Sequence, residues 1–168
     1  MVVALRLEGR VWWCECGGWN PWASDVWSRH SSQHLVDPYS FTHFLHGFVF
    51  SGFLRWLFPR MTRPWRFFGA VVLEAAWEIL ENSPTIIERY RTATMALDYE
   101  GDSILNSIGD VLACALGAAA AQRWGVRISL YVFVALEGLL LFWIRDNLTL
   151  NVLMLLFPID AVKQWQTP

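Results

Sequence analysis

Nine polar side chains sit inside segments of this chain that are apolar enough to lie in a bilayer: His43, His46, Glu74, Glu78, Glu81, Asn82, Asp102, Asn106 and Asp110. An ionisable group at the centre of a membrane helix costs roughly 2.5–3.5 kcal/mol on insertion scales, so such groups persist only where they face one another or water. Their spacing allows it. His43 and His46 are three residues apart. Glu74, Glu78 and Glu81 follow at four and three, and Asp102, Asn106 and Asp110 at four and four, so each set shares one helix face. Three polar stripes on three apolar helices predict an enclosed polar pocket that satisfies them all.

Composition agrees with a bilayer setting. Hydrophobic residues make up 55% of the 168 and charged residues 17%, below the roughly 25% charge of a soluble domain. The eleven Trp and eleven Phe suit a protein with two water–lipid boundaries, where amphipathic rings settle. A net charge of −2 gives no footing for nucleic acid. The chain is one domain by size. Its first ten residues hold too short an apolar run for a signal peptide or a span.

Residues 1–40 read as a polar, Trp-rich N-terminal loop, and 41–168 as a multi-pass membrane domain. A first helix is expected from Ser40 or Thr42, either of which would cap it, to Phe58 before Pro59. A second runs from about Arg66 to Asn82, where Ser83-Pro84 ends it and opens a short surface helix, Thr85 to Met95. A third spans about 101–123 and carries Gly109, Ala113, Gly117 and Ala121, a small-xxx-small row that lets helices approach closely. A fourth covers about 128–144. Residues 148–157 are apolar but too short to cross alone. The fold class expected is an all-α integral membrane bundle of about four to five helices.

Arg55, Arg60, Arg63 and Arg66 crowd the first link, and Arg123 and Arg127 the third. Both links are then cytoplasmic by the positive-inside rule, which puts the polar pocket at the external side. Cys14 and Cys16 would lie there too. A disulfide across one intervening residue would be strained, which leaves free or metal-binding thiols open. His30 and His34 read as solvated loop residues within reach of a metal. Cys114, alone in an Ala-rich run, reads as packing.

Imidazoles among carboxylates suit a divalent metal such as zinc, manganese or iron, here with His43, His46 and Glu78 as ligands. The spacing matches no His-Glu-x-x-His signature. His43, Glu78, Glu81, Asp102 and Asp110 also form a set able to donate and accept protons. Asn82, Asn106, Arg89 and Arg91 would hold a polar or anionic headgroup. The leading reading is an envelope membrane protein that binds a metal or a lipid headgroup and supports hydrolysis or group transfer there. A second is a proton- or ion-coupled transporter using Glu74, Asp110 and Glu137, though the Ala- and Gly-rich half of the third helix reads as a seal. A third is a non-catalytic assembly factor. Plainer roles compete: Asp102 and Ser103 are good N-caps, and Asn82 suits a C-cap. Membrane lipids are the partner expected.

Several stretches carry a resemblance. Ser32–Gly47, Glu74–Pro84, Ile87–Arg91, Asp98–Asp110 and Ile144–Asn151 resemble an uncharacterised, mostly alphaproteobacterial family of multi-pass inner-membrane proteins, catalogued as a domain of unknown function. The likeness runs from Cys14 to the C-terminus and implies the inner (plasma) membrane as location. In that family an apolar helix usually precedes the Cys-x-Cys pair, whereas here the preceding run is short. The order of His-rich, Glu-rich and Asp-x-x-x-Asn-x-x-x-Asp helices is more loosely similar to VanZ-like proteins, which implies a role among envelope lipids or glycans.

Overall fold

Helix boundaries follow local chemistry throughout the computed structural model, which describes residues 1–94 and 99–167. The helices are α1 (Val2–Leu7), α2 (Ser40–Leu57), α3 (Arg63–Glu81), α4 (Pro84–Ala93), α5 (Ile104–Ile144), α6 (Leu148–Leu156) and α7 (Asp160–Gln166). No strand occurs among the described residues; Trp22 and Val36 form an isolated bridge.

α3 begins earlier than expected because Pro64 sits in its first turn, where a missing N–H costs nothing. Asn82 is its C-cap, as expected. Neither Ser40 nor Thr42 caps α2: the cap position is Tyr39 and has no side-chain bond. The Ser40 hydroxyl donates instead to Asp110 Oδ1 at 2.8 Å. Ser83 and Ser103 cap α4 and α5, accepting from Ile86 N and Asn106 N. The surface helix ends at Ala93; Met95, its expected end, lies outside the described residues, as does Asp98 of the Asp98–Asp110 motif.

Among the described residues one helix, α5, is long and apolar enough to cross a membrane. Its 41 residues are interrupted at Gly125, where φ is +77° and ψ 174°. A straight helix of that length would run about 60 Å. The contacts require a reversal instead. The start of α2 touches both arms, Ser40 through Asp110 and Tyr39 through its packing against Leu140 and Ile144. The expected third and fourth helices are thus the two arms of α5, joined by a left-handed conformation that glycine adopts without steric cost. What stands of the expected bundle is an all-helical fold in which, among the described residues, α5 is the one helix long and apolar enough to cross a membrane.

The small-residue row does what its spacing suggests. A Cβ on Gly117 would collide with the Phe44 carbonyl, and one on Gly47 with the Cys114 carbonyl and the Ala118 amide. α2 and the first arm of α5 therefore cross backbone to backbone. Leu54, Ala70 and Ala118 pack α2, α3 and α5 together at one end. At that end the Gln122 amide lies between the Arg63 carbonyl and the Phe67 amide, which puts the two Arg-rich turns side by side. The outer faces stay apolar and exposed: Phe53 and Trp56 on α2, Trp65 and Phe68 on α3, Leu116 and Phe142 on α5.

A candidate polar site at the ends of three helices

The opposite end of α2, α3 and α5 opens into a cleft of about 1230 Å³. His43, His46, Glu81, Asp102 and Asp110 line it, and Glu74 and Glu78 are packed beneath them, wholly buried. Both Glu74 oxygens are occupied, by His43 Nδ1 at 2.5 Å and His46 Nδ1 at 2.9 Å. His43 Nδ1 also lies 3.4 Å from Glu78 Oε1, and its Nε2 lies 3.9 Å from Asp110 Oδ2. Since α2 and α3 each carry their ligands at helical spacing, packing the two helices against α5 is enough to bring these groups together.

A second layer ties α3 to the start of α5. The Asn82 amide donates to Asp102 Oδ2 at 2.9 Å, and its carbonyl oxygen accepts from Asp102 N at 2.7 Å. Tyr99 OH donates to Asp102 Oδ1 at 2.8 Å, and Tyr90 OH to Glu81 Oε1 at 2.7 Å. Asn106 donates to the His34 carbonyl at 2.8 Å and so anchors the N-terminal loop on the cleft. Beyond the helices, burial pushes Asp37 and Asp102 above the usual carboxylate range and Asp146 to about 6.

The predicted residues do not all converge. His43, Glu78 and Glu81 place ligand atoms within 4.8 Å of one another, and so do His43, His46 and Glu74. His46 thus pairs with Glu74, whereas Glu78 pairs with Glu81. Asp102 and Asp110 line the cleft. Capping at the start of α5 falls to Ser103, which leaves the Asp102 carboxylate to Asn82 and Tyr99. Arg91 lines the cleft and donates to the Tyr99 carbonyl at 2.5 Å. Arg89 donates to the Leu155 carbonyl at 2.7 Å and holds the end of α6. Glu137 accepts from the amides of Leu148 and Thr149 at 2.9 and 3.0 Å, an anchor for the start of α6.

The sequence reading missed Tyr39, Tyr90, Tyr99, Asp146 and Asn151, which also line the cleft. Asp146 and Asn151 belong to the Ile144–Asn151 motif, and that clustering of polar residues after an apolar helix is the signal that marks them.

Eight carboxylates are buried — Asp37, Glu74, Glu78, Glu81, Asp102, Asp110, Glu137 and Asp146 — whereas no Arg or Lys is, among the described residues. Glu78 is the extreme case. It is 0% exposed, and neither of its oxygens receives a hydrogen bond. Glu81 Oε2 also lacks a donor. A buried carboxylate needs charge compensation and donors, and two imidazoles supply little of either.

Comparison with known proteins places the chain. The family model described as protein of unknown function DUF2585 matches residues 5–168. A UPF0314 protein of Rhizobium meliloti is 50% identical over 98% of this chain and 84% of its own length. One from Sphingopyxis alaskensis is 49% identical over 99% of this chain and 88% of its own. The chain belongs to this DUF2585/UPF0314 family of uncharacterised proteins, whose matched relatives are mostly alphaproteobacterial. No solved structure matches it.

Proposed function

We propose that this protein is a multi-pass membrane protein that holds a divalent cation on His43, Glu78 and Glu81, at the floor of a cleft that receives an anionic headgroup. The observation that carries the reading is Glu78, wholly buried with no donor to either oxygen beside a second carboxylate and an imidazole. A divalent cation supplies the missing charge to both carboxylates at once. The oxygen-rich set favours manganese, iron or zinc. Glu74 accepts from Nδ1 of both imidazoles, which fixes the His43 ring and leaves its Nε2 as the free ligand atom.

Membrane embedding draws on the geometry as well as on the apolar α5. α2 has 18 residues and α3 has 19, or about 27–29 Å at 1.5 Å per residue, matching a hydrocarbon core of about 30 Å. With the arms of α5 they present apolar side chains outward at every level. The Arg-rich turns then sit on the cytoplasmic side and the cleft on the other.

At the cleft wall Arg91 supplies positive charge, so a cation below and a guanidinium above favour a phosphate-bearing headgroup. Asp102 and Asp110 line the same cleft and would serve as the proton donor and acceptor in hydrolysis or group transfer there. Proton-coupled transport finds less support: the α2–α5 crossing at Gly47 and Gly117 leaves no room for a polar path, and Glu137 is committed to α6.

Manganese binding to the detergent-purified protein, followed by electron paramagnetic resonance, tests the site. Thiolate ligands elsewhere compete poorly for this hard ion. One ion per chain is expected in the wild type and none in Glu78→Gln. Absence of binding, or binding unchanged in Glu78→Gln, overturns the reading.

A further inference from the structure

The N-terminal loop carries a second cluster of ligand-type side chains, chemically unlike the first. Cys14 Sγ lies 3.3 Å from His30 Nδ1, and Cys16 Sγ 3.7 Å from His34 Nε2. One ligand atom from each of the four lies within 4.8 Å of all the others. Tetrahedral zinc with bonds of about 2.3 Å to sulfur and 2.0–2.1 Å to nitrogen holds its sulfur and nitrogen ligands about 3.5 Å apart. The observed separations bracket that value. His30-x-x-x-His34 has the histidine spacing common in such sites, while Cys14-x-Cys16 is one residue tighter than the usual cysteine pair.

The surroundings orient each ligand. His34 Nδ1 faces the Asn20 carbonyl. A carbonyl only accepts, so Nδ1 carries the proton and Nε2 presents its lone pair towards Cys16. The amide of Cys16 donates to Cys14 Sγ and that of Gly18 to Cys16 Sγ, both at 3.4 Å. Such N–H···S bonds favour the thiolate form that binds metal. All three cysteines are free.

The loop also has little regular structure of its own. Residues 8–39 contain no helix and no strand beyond one bridge, far past the roughly 12–15 residues that a structureless connection usually reaches. Yet the segment docks firmly, through Ile104 N to the Val11 carbonyl at 2.8 Å and Ser103 N to the Ser32 carbonyl at 2.9 Å.

We infer that Cys14, Cys16, His30 and His34 form a closed, structural zinc site that clamps the N-terminal loop over the cleft. Four protein ligands fill the tetrahedral shell and leave no position for substrate, which separates this site in role from the carboxylate pocket.

Cobalt(II) replaces zinc in such sites and reports its ligands by colour. Reduced, full-length protein in detergent is titrated with Co²⁺ and read by absorption spectroscopy. The expected result is a thiolate-to-cobalt charge-transfer band that reaches the intensity of one thiolate-bound tetrahedral ion per chain and is abolished by excess Zn²⁺. Cys16 is exposed, so Cys16→Ser leaves the packing unchanged. It should lower the charge-transfer intensity and weaken Zn²⁺ binding by more than about 100-fold, beyond the roughly 10–100-fold that loss of a supporting residue costs. Glu78→Gln should leave the spectrum as it is. The inference is overturned if the wild type shows no thiolate–cobalt band, if Cys16→Ser binds Zn²⁺ as tightly as the wild type, or if the native protein carries a Cys14–Cys16 disulfide.

Discussion

The carboxylate pocket and the cysteine–histidine cluster open onto the same cleft and are built in opposite ways. The pocket's ligands stand on α2 and α3, whose packing fixes them whether or not a cation is bound. Those of the loop stand on a segment without a core of its own, so a metal there would have to supply the order that packing supplies elsewhere. The pocket is thus expected to be pre-formed and electrostatically costly, the loop cluster metal-formed and stabilising. A substitution in one should move stability in the opposite direction to a substitution in the other.

The largest effect is expected in the loop. Structural zinc contributes of order 10 kcal/mol to small zinc folds, and each 1 kcal/mol moves Tm by about 2–4 °C at this chain length. Cys14→Ser with Cys16→Ser should lower Tm by about 10 °C or more in zinc-containing buffer, read by scanning calorimetry in detergent. A Tm within about 2 °C of wild type would put the ordering of residues 8–39 down to their hydrogen bonds to α5 alone.

Next comes the crossing that sets the pocket. Gly117→Val places two methyls against the Phe44 backbone and should cost about 3 kcal/mol as overpacking. It should weaken manganese binding at His43 and Glu78, because α2 shifts against α3 and α5. The thiolate–cobalt band should survive, since the loop ligands are held from the other side. Loss of both signals together would mean that the two sites share one folding unit.

A smaller effect of opposite sign is expected at Glu78. In metal-free protein, Glu78→Gln replaces a buried carboxyl that receives no hydrogen bond with a neutral amide able to donate to Glu81. It should raise stability by about 2 kcal/mol, the cost of an unsatisfied buried group, while abolishing manganese binding. A drop in Tm would show that Glu78 is compensated by the imidazoles alone.

Much of the pocket was legible because helical periodicity is a local code. His43 with His46, the Glu74–Glu81 row and the Asp102–Asp110 row each fall on one face, and the small-residue row marks the face that meets the loop at Gly109 and α2 at Gly117. What was not legible depends on tertiary choice. Which acid pairs with which imidazole follows from the axial offset of α2 against α3, and spacing carries no record of that. The left-handed Gly125 was passed over as a plain gap between two helices. The N-terminal loop was the hardest to read. Its hydrogen bonds to the rest of the molecule are scattered along the segment, and its four ligand-type side chains come from two places in the sequence, so neither set has a period.

Asp146, which lines the cleft, gives the finest test, because it is a buried carboxyl with donors where Glu78 has none. It is buried, yet it accepts from Asn147 N at 2.9 Å, Tyr39 OH at 3.2 Å and Asn151 Nδ2 at 3.5 Å. Burial nevertheless outweighs these donors and raises its carboxyl to about 6 from 3.8. A carboxyl whose folded value lies above its unfolded value binds more protons when folded. Stability therefore falls as pH rises through that interval and is gained on acidification. Between pH 7 and pH 5 the gain from this one group is about 1 kcal/mol. Asp146→Asn should flatten the pH dependence of Tm by that amount, a few degrees, and leave both metal signals unchanged. An unchanged pH slope would mean that the three donors keep Asp146 ionised. Hydrogen bonding would then suffice to hold a carboxylate in this cleft, and the contrast with donor-less Glu78 would point all the more strongly to a cation at the latter.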